Sequence, residues 1–274
     1  MTIPTKRFIA PGGWFEMNYP MAFTEFLDEE GSFLFYDPDT WTGNFRIAAY
    51  KGSDKGFARR CVDEELAMRR RATIEKVGTW RCCYYTMPFT EQEERFVDHC
   101  WVFGERDMVY YVRLTVFEST PADLARQIIA TVATRHPDRI YPAEVIDIRA
   151  KEVQDIEEAY DTVRRMIKEK LSRDFRGEPE DVALLQRLVE EGGLNPRKRD
   201  AWLALGIALA VVVANNQDQY RWMTLVDGNR EDPVLQDVED GTTIDPMHLV
   251  WSKVKRGQNV NLVETYAKLT EENA

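Results

Sequence analysis

The residues best suited to covalent or metal chemistry are Cys82, Cys83, Cys100 and His99, which fall in two stretches that read as neighbouring strands. A Cys–His nucleophile or a zinc site is the chemistry such a group would support. The spacing argues against both. Adjacent residues on a strand point to opposite faces, so at most two or three of the four can converge. Cys82 and Cys83 lie mid-strand between Trp80 and Tyr85, where burial raises a thiol pKa and does not activate it. With Cys61, the four cysteines form no CxxC pattern. They read as reduced thiols, small hydrophobes of a cytoplasmic protein.

Other motifs are missing where their chemistry would need them. None of the five serines, Ser32, Ser53, Ser119, Ser172 and Ser252, sits in a G-x-S-x-G elbow. The acidic stretch Asp237 to Asp245 invites a calcium loop. With Gly241 at the sixth position, however, Gln236, Val238 and Met247 fall where carboxylates belong. A solvated acidic loop is the expectation. No phosphate-cradling G-x-x-x-x-G-K-[ST] or G-x-G-x-x-G run occurs. These absences point away from an enzyme and from a bound cofactor or metal.

The formal net charge of the 274 residues is −11. It is uneven: residues 1–142 carry 18 Lys+Arg against 21 Asp+Glu, and residues 143–274 carry 18 against 26. A field of that sign repels phosphate backbones and anionic lipid. Arg59, Arg60, Arg69, Arg70 and Arg71 share one predicted helix with Asp63, Glu64 and Glu65, which makes a solvated mixed face, and Arg197-Lys198-Arg199 precedes a buried helix. Neither nucleic acid nor membrane is an expected partner. The N-terminus MTIPTKRFIAPGG has no apolar run long enough for a signal-peptide core. The longest apolar stretch, Ala201 to Ala214, is shorter than the roughly 20 residues a spanning helix needs.

The elements that hold these residues begin with Gly12 to Tyr50, crowded with aromatics and cut by turns, a pattern for antiparallel strands. Strands are expected at 6–9, 14–19, 32–36 and 44–50, with turn chemistry at Asp37-Pro38-Asp39. A helix is expected over 57–72, then strands at 79–87, 95–103 and 108–117. The last has two apolar faces apart from Arg113, so it should be central with material packed on both sides. Thr120-Pro121 reads as the start of a helix ended by His136-Pro137. Beyond 140–149 the periodicity turns helical: an amphipathic helix over 153–171, a helix opened by Pro179 and closed by Gly192-Gly193, and the buried helix 201–214. Gly206 within that helix is expected to serve close packing. A strand at 220–226 and short helices at 246–255 and 262–269 complete the chain.

Most of the aromatics should fill the core. Those near turns and strand ends, Trp14, Tyr36, Trp41 and Tyr50, are the ones that could form a binding surface. Asp37 to Gly43 is the turn to watch.

The runs GGWFEMNYP and FLFYDPDTWTGNFRIAAY resemble the N-terminal half of a group of bacterial proteins of unknown function whose fold is similar to PsbP, the extrinsic photosystem subunit. DAWLALGIALA, YRWMTLVDG, IDPMHLVWSKVKRG and NLVETYAKL resemble a companion domain of unknown function. The resemblance implies an α+β chain: a PsbP-like α-β-α sandwich built on an antiparallel sheet over 1–142, then a helix-rich α+β domain over 150–274. It supplies no catalytic residues. The expected function is therefore a non-catalytic cytoplasmic binding protein, of adaptor or immunity type, whose acidic surface covers an unidentified basic protein partner. The alternative is a small-ligand binder or enzyme with a site in the cleft between domains, drawing on Arg113, Asp227 or His248.

Overall fold

Short aromatic and β-branched segments separated by turns favour pleated, half-buried strands, and the first unit is built from them. The computed structural model describes residues 3–27, 31–136, 138–191, 193–228 and 230–271. The chain divides into two units, Met1–Tyr141 and Pro142–Ala274.

In the first unit the elements are β1 (Thr5–Ile9), β2 (Phe15–Pro20), β3 (Thr24–Leu27), β4 (Phe33–Tyr36), β5 (Asn44–Lys51) and α1 (Phe57–Met68). Then follow β6 (Thr73–Val77), β7 (Trp80–Glu91), β8 (Glu94–Glu105), β9 (Met108–Phe117), α2 (Asp123–Ile129) and β10 (Ala133–Thr134). Seven strands form one antiparallel sheet in the order β3-β4-β5-β9-β8-β7-β6, with β9 in the middle, and β1-β2-β10 form a second, smaller sheet. The position of β9 follows from its two apolar faces.

The main core lies between one face of the large sheet and the small sheet with α2. Phe8 packs edge-on against Phe33 and Phe35 at ring distances of 5.1 and 5.2 Å, and Phe15 meets Tyr110 at 5.5 Å. Each such side chain contributes about 1.5–3 kcal/mol by leaving water. Most of the opening aromatics are thus in the core, as their density implies.

Three expectations change. The helix predicted over 57–72 stops at Met68. Arg69 turns extended, Arg71 takes φ 67°, and the chain enters β6, which pairs with β7. Tertiary pairing overrides the helix propensity of the arginine run. α2 begins at Asp123, with no side-chain cap on Ala122; the Thr120 N–H instead closes a turn onto the Phe117 carbonyl. α2 ends at Ile129, before β10; Pro137 lies outside the described residues.

The second unit runs β11 (Glu144–Asp147), α3 (Ala150–Leu171), α4 (Val182–Glu191), α5 (Arg199–Asn216), β12 (Tyr220–Asp227), β13 (Arg230–Asp237), β14 (Thr243–Ile244), α6 (Pro246–Lys255) and α7 (Leu262–Glu271). A 3-10 turn over Pro179–Asp181 leads into α4, and the Asp181 carboxylate accepts the N–H groups of Arg176 and Gly177. Of the expected Gly192-Gly193 cap, Gly192 lies outside the described residues. Four strands form the sheet β11-β12-β13-β14. α5 is apolar nearly all round and forms the hub of a helical core with α3, α4, α6 and α7. A Cβ on Gly206 would come within 2.1 Å of the Pro246 carbonyl oxygen, so glycine lets α5 and α6 touch backbone to backbone.

β13 carries Pro233 among charged residues. It is tolerated because β14 pairs only with Leu235 and Gln236 of that strand, which leaves Pro233 on an open edge. At the head of α3, Arg149 bonds Glu152 at 2.6 and 2.7 Å and Glu231 at 2.8 Å, with the Thr224 hydroxyl donating to Glu152. Arg149 and Glu152 are 1% and 0% exposed. Among the described residues no helix is long and apolar enough to cross a membrane.

Candidate functional site

The face of the large sheet opposite the main core is only partly covered. α1 lays Ala58 and Val62 onto Cys83, Tyr85, Cys100, Val102 and Val109. The close approach depends on Gly104, where a Cβ would stand 3.1 Å from the Ala58 Cβ and 2.2 Å from the Met108 carbonyl oxygen. α1 is too short to reach the far ends of β7, β8 and β9, and what lies there is open.

Strand register sets the order of that open face. Phe89, Phe96 and Phe117 are partners across β7, β8 and β9. Their rings stack at 5.4 and 5.1 Å, with interplanar angles of 20° and 22°. Trp41 extends the row, 6.1 Å from Phe117 and edge-on. Phe89, Phe117 and Trp41 are 37%, 38% and 46% exposed. Trp41 reaches its place from a turn in which Asp37 accepts the N–H groups of Asp39 and Thr40 at 3.0 and 3.1 Å.

Two rows further along the strands, Tyr85, Cys100, Arg113, Arg46 and Leu34 are successive register partners. Between the rows, buried Asp98 accepts the Thr115 hydroxyl at 2.6 Å and lies 3.8 Å from Arg113. Arg46 donates to the Ser32 hydroxyl at 2.9 Å. Arg46, Arg113, Tyr50, Lys51, Arg69 and Tyr111 are among the residues that line a groove of about 670 Å³ beside α1. Arg69 sits over the Tyr85 ring at 5.1 Å and bonds Glu65 at 2.8 Å; Lys51 pairs with Asp107 at 3.9 Å.

Burial raises the thiol and the phenols beneath the groove: it pushes Cys100 up to about 11 and Tyr85 and Tyr111 well above their usual range. Cys82, on the core face, is pushed up to about 12 by burial. His99 also faces the core side. Its Nδ1 shares a hydrogen bond of 2.7 Å with the Tyr84 hydroxyl, and Cys100 beside it points the other way, into the cluster under α1. All four cysteines are free thiols. Among the described residues no group of three or more His, Cys, Asp or Glu side chains could hold a metal ion.

The residues singled out from sequence are scattered over both units. Trp41 and Arg113 stand on the open face, and Tyr36, half-buried at the end of β4, shares that side of the sheet. Tyr50 is 50% exposed at the rim of the groove, edge-on to Tyr111. Trp14 is exposed just before β2, outside the large sheet. Asp227 ends β12 opposite Arg230, and exposed His248 lies in the first turn of α6, where Asp245 accepts its backbone N–H at 2.9 Å. Within the acidic loop, Asp237 and Asp240 accept backbone N–H groups as turn formers. Arg59 and Arg60 of α1 pair with Asp63 and Asp54, and Arg69, just past its end, pairs with Glu65. Sequence reasoning missed Phe89, Phe96, Phe117 and Arg46. Their only signal is the alternation of their strands, read together with a register that pattern alone does not supply.

The chain belongs to the family described as Domain of unknown function (DUF3805), whose model matches residues 3–157. A second model, Domain of unknown function (DUF3806), matches residues 181–266. The expectation of two successive domains of unknown function holds. A crystal structure of a protein from Bacteroides thetaiotaomicron VPI-5482, at 1.50 Å resolution, is similar over 97% of this chain and 98% of that chain, with 42% identity and a TM-score of 0.94. The solution structure of cyanobacterial PsbP (CyanoP) from Synechocystis sp. PCC 6803 aligns with 49% of this chain and 95% of that chain, at 12% identity and a TM-score of 0.29. The α+β class is set by the antiparallel sheets and the helices of the chain itself. Among curated proteins nothing matches the sequence.

Proposed function

We propose that this chain is a non-catalytic binding protein of the bacterial cytoplasm, an adaptor or immunity-type module. It docks a protein partner on the open face of its seven-stranded sheet. The observation that carries this reading is the stacked row Phe89-Phe96-Phe117-Trp41, held in solvent by three strands and a turn. Contiguous exposed apolar surface marks interaction sites, and aromatic residues dominate the energetics of such interfaces. The free thiols suit a reducing compartment. The partner is a protein; nucleic acid and membrane are not proposed.

The test compares wild type with a Phe117→Ser/Trp41→Ser variant in affinity capture from native lysate at several salt concentrations. A stoichiometric protein retained by wild type and lost by the variant, with unchanged melting of both, supports the reading. Equal retention by both, or no stoichiometric protein with wild type at any salt, counts against it.

A second reading has one observation of its own. The groove volume of about 670 Å³ falls within the range of small-molecule sites, roughly 300–1,000 Å³. A metabolite that raises the melting temperature of wild type but not of an Arg113→Gln variant would favour a ligand in that groove.

A further inference from the structure

The β7–β8 hairpin closes through Gln92 and Glu93, flanked by Glu91 and Glu94, which are direct register partners. By the alternation of the strands Glu91 shares a face with Phe89, and Glu94 with Phe96. The two carboxylates therefore sit on the open face, one row beyond the aromatic row. Glu91, Glu93 and Glu94 are all exposed. Like charges directly opposite each other on a sheet repel and weaken the pairing. Among the described residues no hydrogen bond or ion pair engages the side chain of Glu91, Glu93 or Glu94. Arg95, next to Glu94, alternates to the other face and pairs with Glu118 at 3.7 Å. Cations farther along the open face have carboxylates of their own: Arg113 has Asp98, Arg69 has Glu65 and Lys51 has Asp107.

We infer that the protein docked on this face is basic where it meets the hairpin: a segment carrying Lys or Arg beside an apolar side chain. The inference rests on the docking reading above and names the chemistry of the partner. An apolar side chain laid on Phe89 and Phe96 takes water from Glu91 and Glu94 as well. Withdrawing a carboxylate from water is costly unless a counter-charge replaces it. A cation of the partner meets that need and relieves the repulsion within the pair, whereas a further carboxylate adds to it. The field of a chain whose net charge is −11 acts in the same direction at longer range. The strand also fixes a spacing. Phe89 and Glu91 are two residues, roughly 7 Å, apart along β7. An extended partner segment with apolar and basic side chains two positions apart meets both. A second copy of this chain fits less well, because Arg113, Arg69 and Lys51 of its own open face already have carboxylates.

The test selects a random peptide display library on the full chain, on a Glu91→Gln/Glu93→Gln/Glu94→Gln variant and on Phe117→Ser/Trp41→Ser. Melting curves establish that each is folded. Wild type should enrich peptides with Lys or Arg two positions from an aromatic or aliphatic residue. The glutamine variant should keep the apolar preference and lose the basic one, and the aromatic variant should lose both. In calorimetry, replacing the basic residue of the selected peptide with Gln should weaken binding to wild type about fivefold. Binding to the glutamine variant should be unchanged by that replacement, and the difference should shrink in high salt. A neutral or acidic consensus, a basic preference that survives in the glutamine variant, or no enriched consensus at all overturns the basic-partner assignment. So does a wild-type dimer in analytical ultracentrifugation that Phe117→Ser/Trp41→Ser dissociates, since a second copy then occupies the face. If instead the basic preference depends on the glutamates and the aromatic variant selects the same peptides, the docking reading on the aromatic row fails and the carboxylate site stands.

Discussion

Arg46 and Arg113 face each other across β5 and β9, two cations in direct register on the uncovered side of a sheet whose other side is filled with aromatic rings. In the free protein this arrangement should be repulsive. A double-mutant cycle with Arg46→Gln and Arg113→Gln, followed by urea unfolding, should give an unfavourable coupling of about 0.2–1 kcal/mol. Its size should shrink in high salt, because exposed charges are screened. A favourable coupling would contradict direct repulsion between the two guanidinium groups.

Gly206 sets two principles against each other. Helix propensity says that Gly206→Ala in α5 gains about 1 kcal/mol. Packing says it loses, because the added Cβ would sit 2.1 Å from the Pro246 carbonyl oxygen, and overpacking of this kind costs about 1–3 kcal/mol. The expected outcome is destabilisation in chemical unfolding, larger still for Gly206→Leu. A stabilised alanine variant would refute the close contact of α5 with α6.

The Arg149–Glu152–Glu231 group is buried, so removing its one arginine should be severe. Arg149→Met leaves the Glu152 carboxylate, 0% exposed, without its main counter-charge; losses on this pattern run to about 3–5 kcal/mol. Replacing all three with apolar residues of similar volume should recover most of that. A loss below about 1 kcal/mol for Arg149→Met would show that water reaches the group.

His99 gives a pH dependence. Burial holds its imidazole below the ordinary value of 6.5, and Arg126 pushes in the same direction against Asp98 and Glu75. Its Nε2 is buried with no hydrogen-bond partner, so a proton there would have no acceptor. The unfolded chain takes up the proton more readily than the folded one. The contribution of His99 to stability is therefore full above about pH 6.5 and is lost as pH falls through the lower folded value. Unfolding free energies measured between about pH 7.5 and about pH 5 should fall more steeply for wild type than for His99→Gln. Identical slopes would contradict this.

What the sequence revealed, and what it hid, follows from where the information sits. The central place of β9 is legible because both alternating sets of Met108–Phe117 are apolar, a property of one segment. The buried α5 and the need for Gly206 are legible for the same reason. β13 is hidden by Arg230, Glu231, Asp232 and Pro233, which fit a strand only because that end of it is an open edge. β6 is hidden by an arginine run that suits a helix until Arg71 reverses the chain. The site is hidden most completely. Trp41 and Arg113 are visible as single residues, but the row that joins Trp41 to Phe89 and the opposition of Arg113 to Arg46 exist only once four strands are in register. Pairing between distant segments leaves little trace in any one of them.

The most direct test of the open face as the binding surface is photo-crosslinking in cells. A benzoylphenylalanine at Phe117 keeps the aromatic character of the row, and the same residue at Met21, equally apolar and 59% exposed at the turn after β2, serves as the control. The account predicts a discrete crosslinked protein from position 117, absent from position 21. No crosslink at 117, or the same products from both positions, would contradict it.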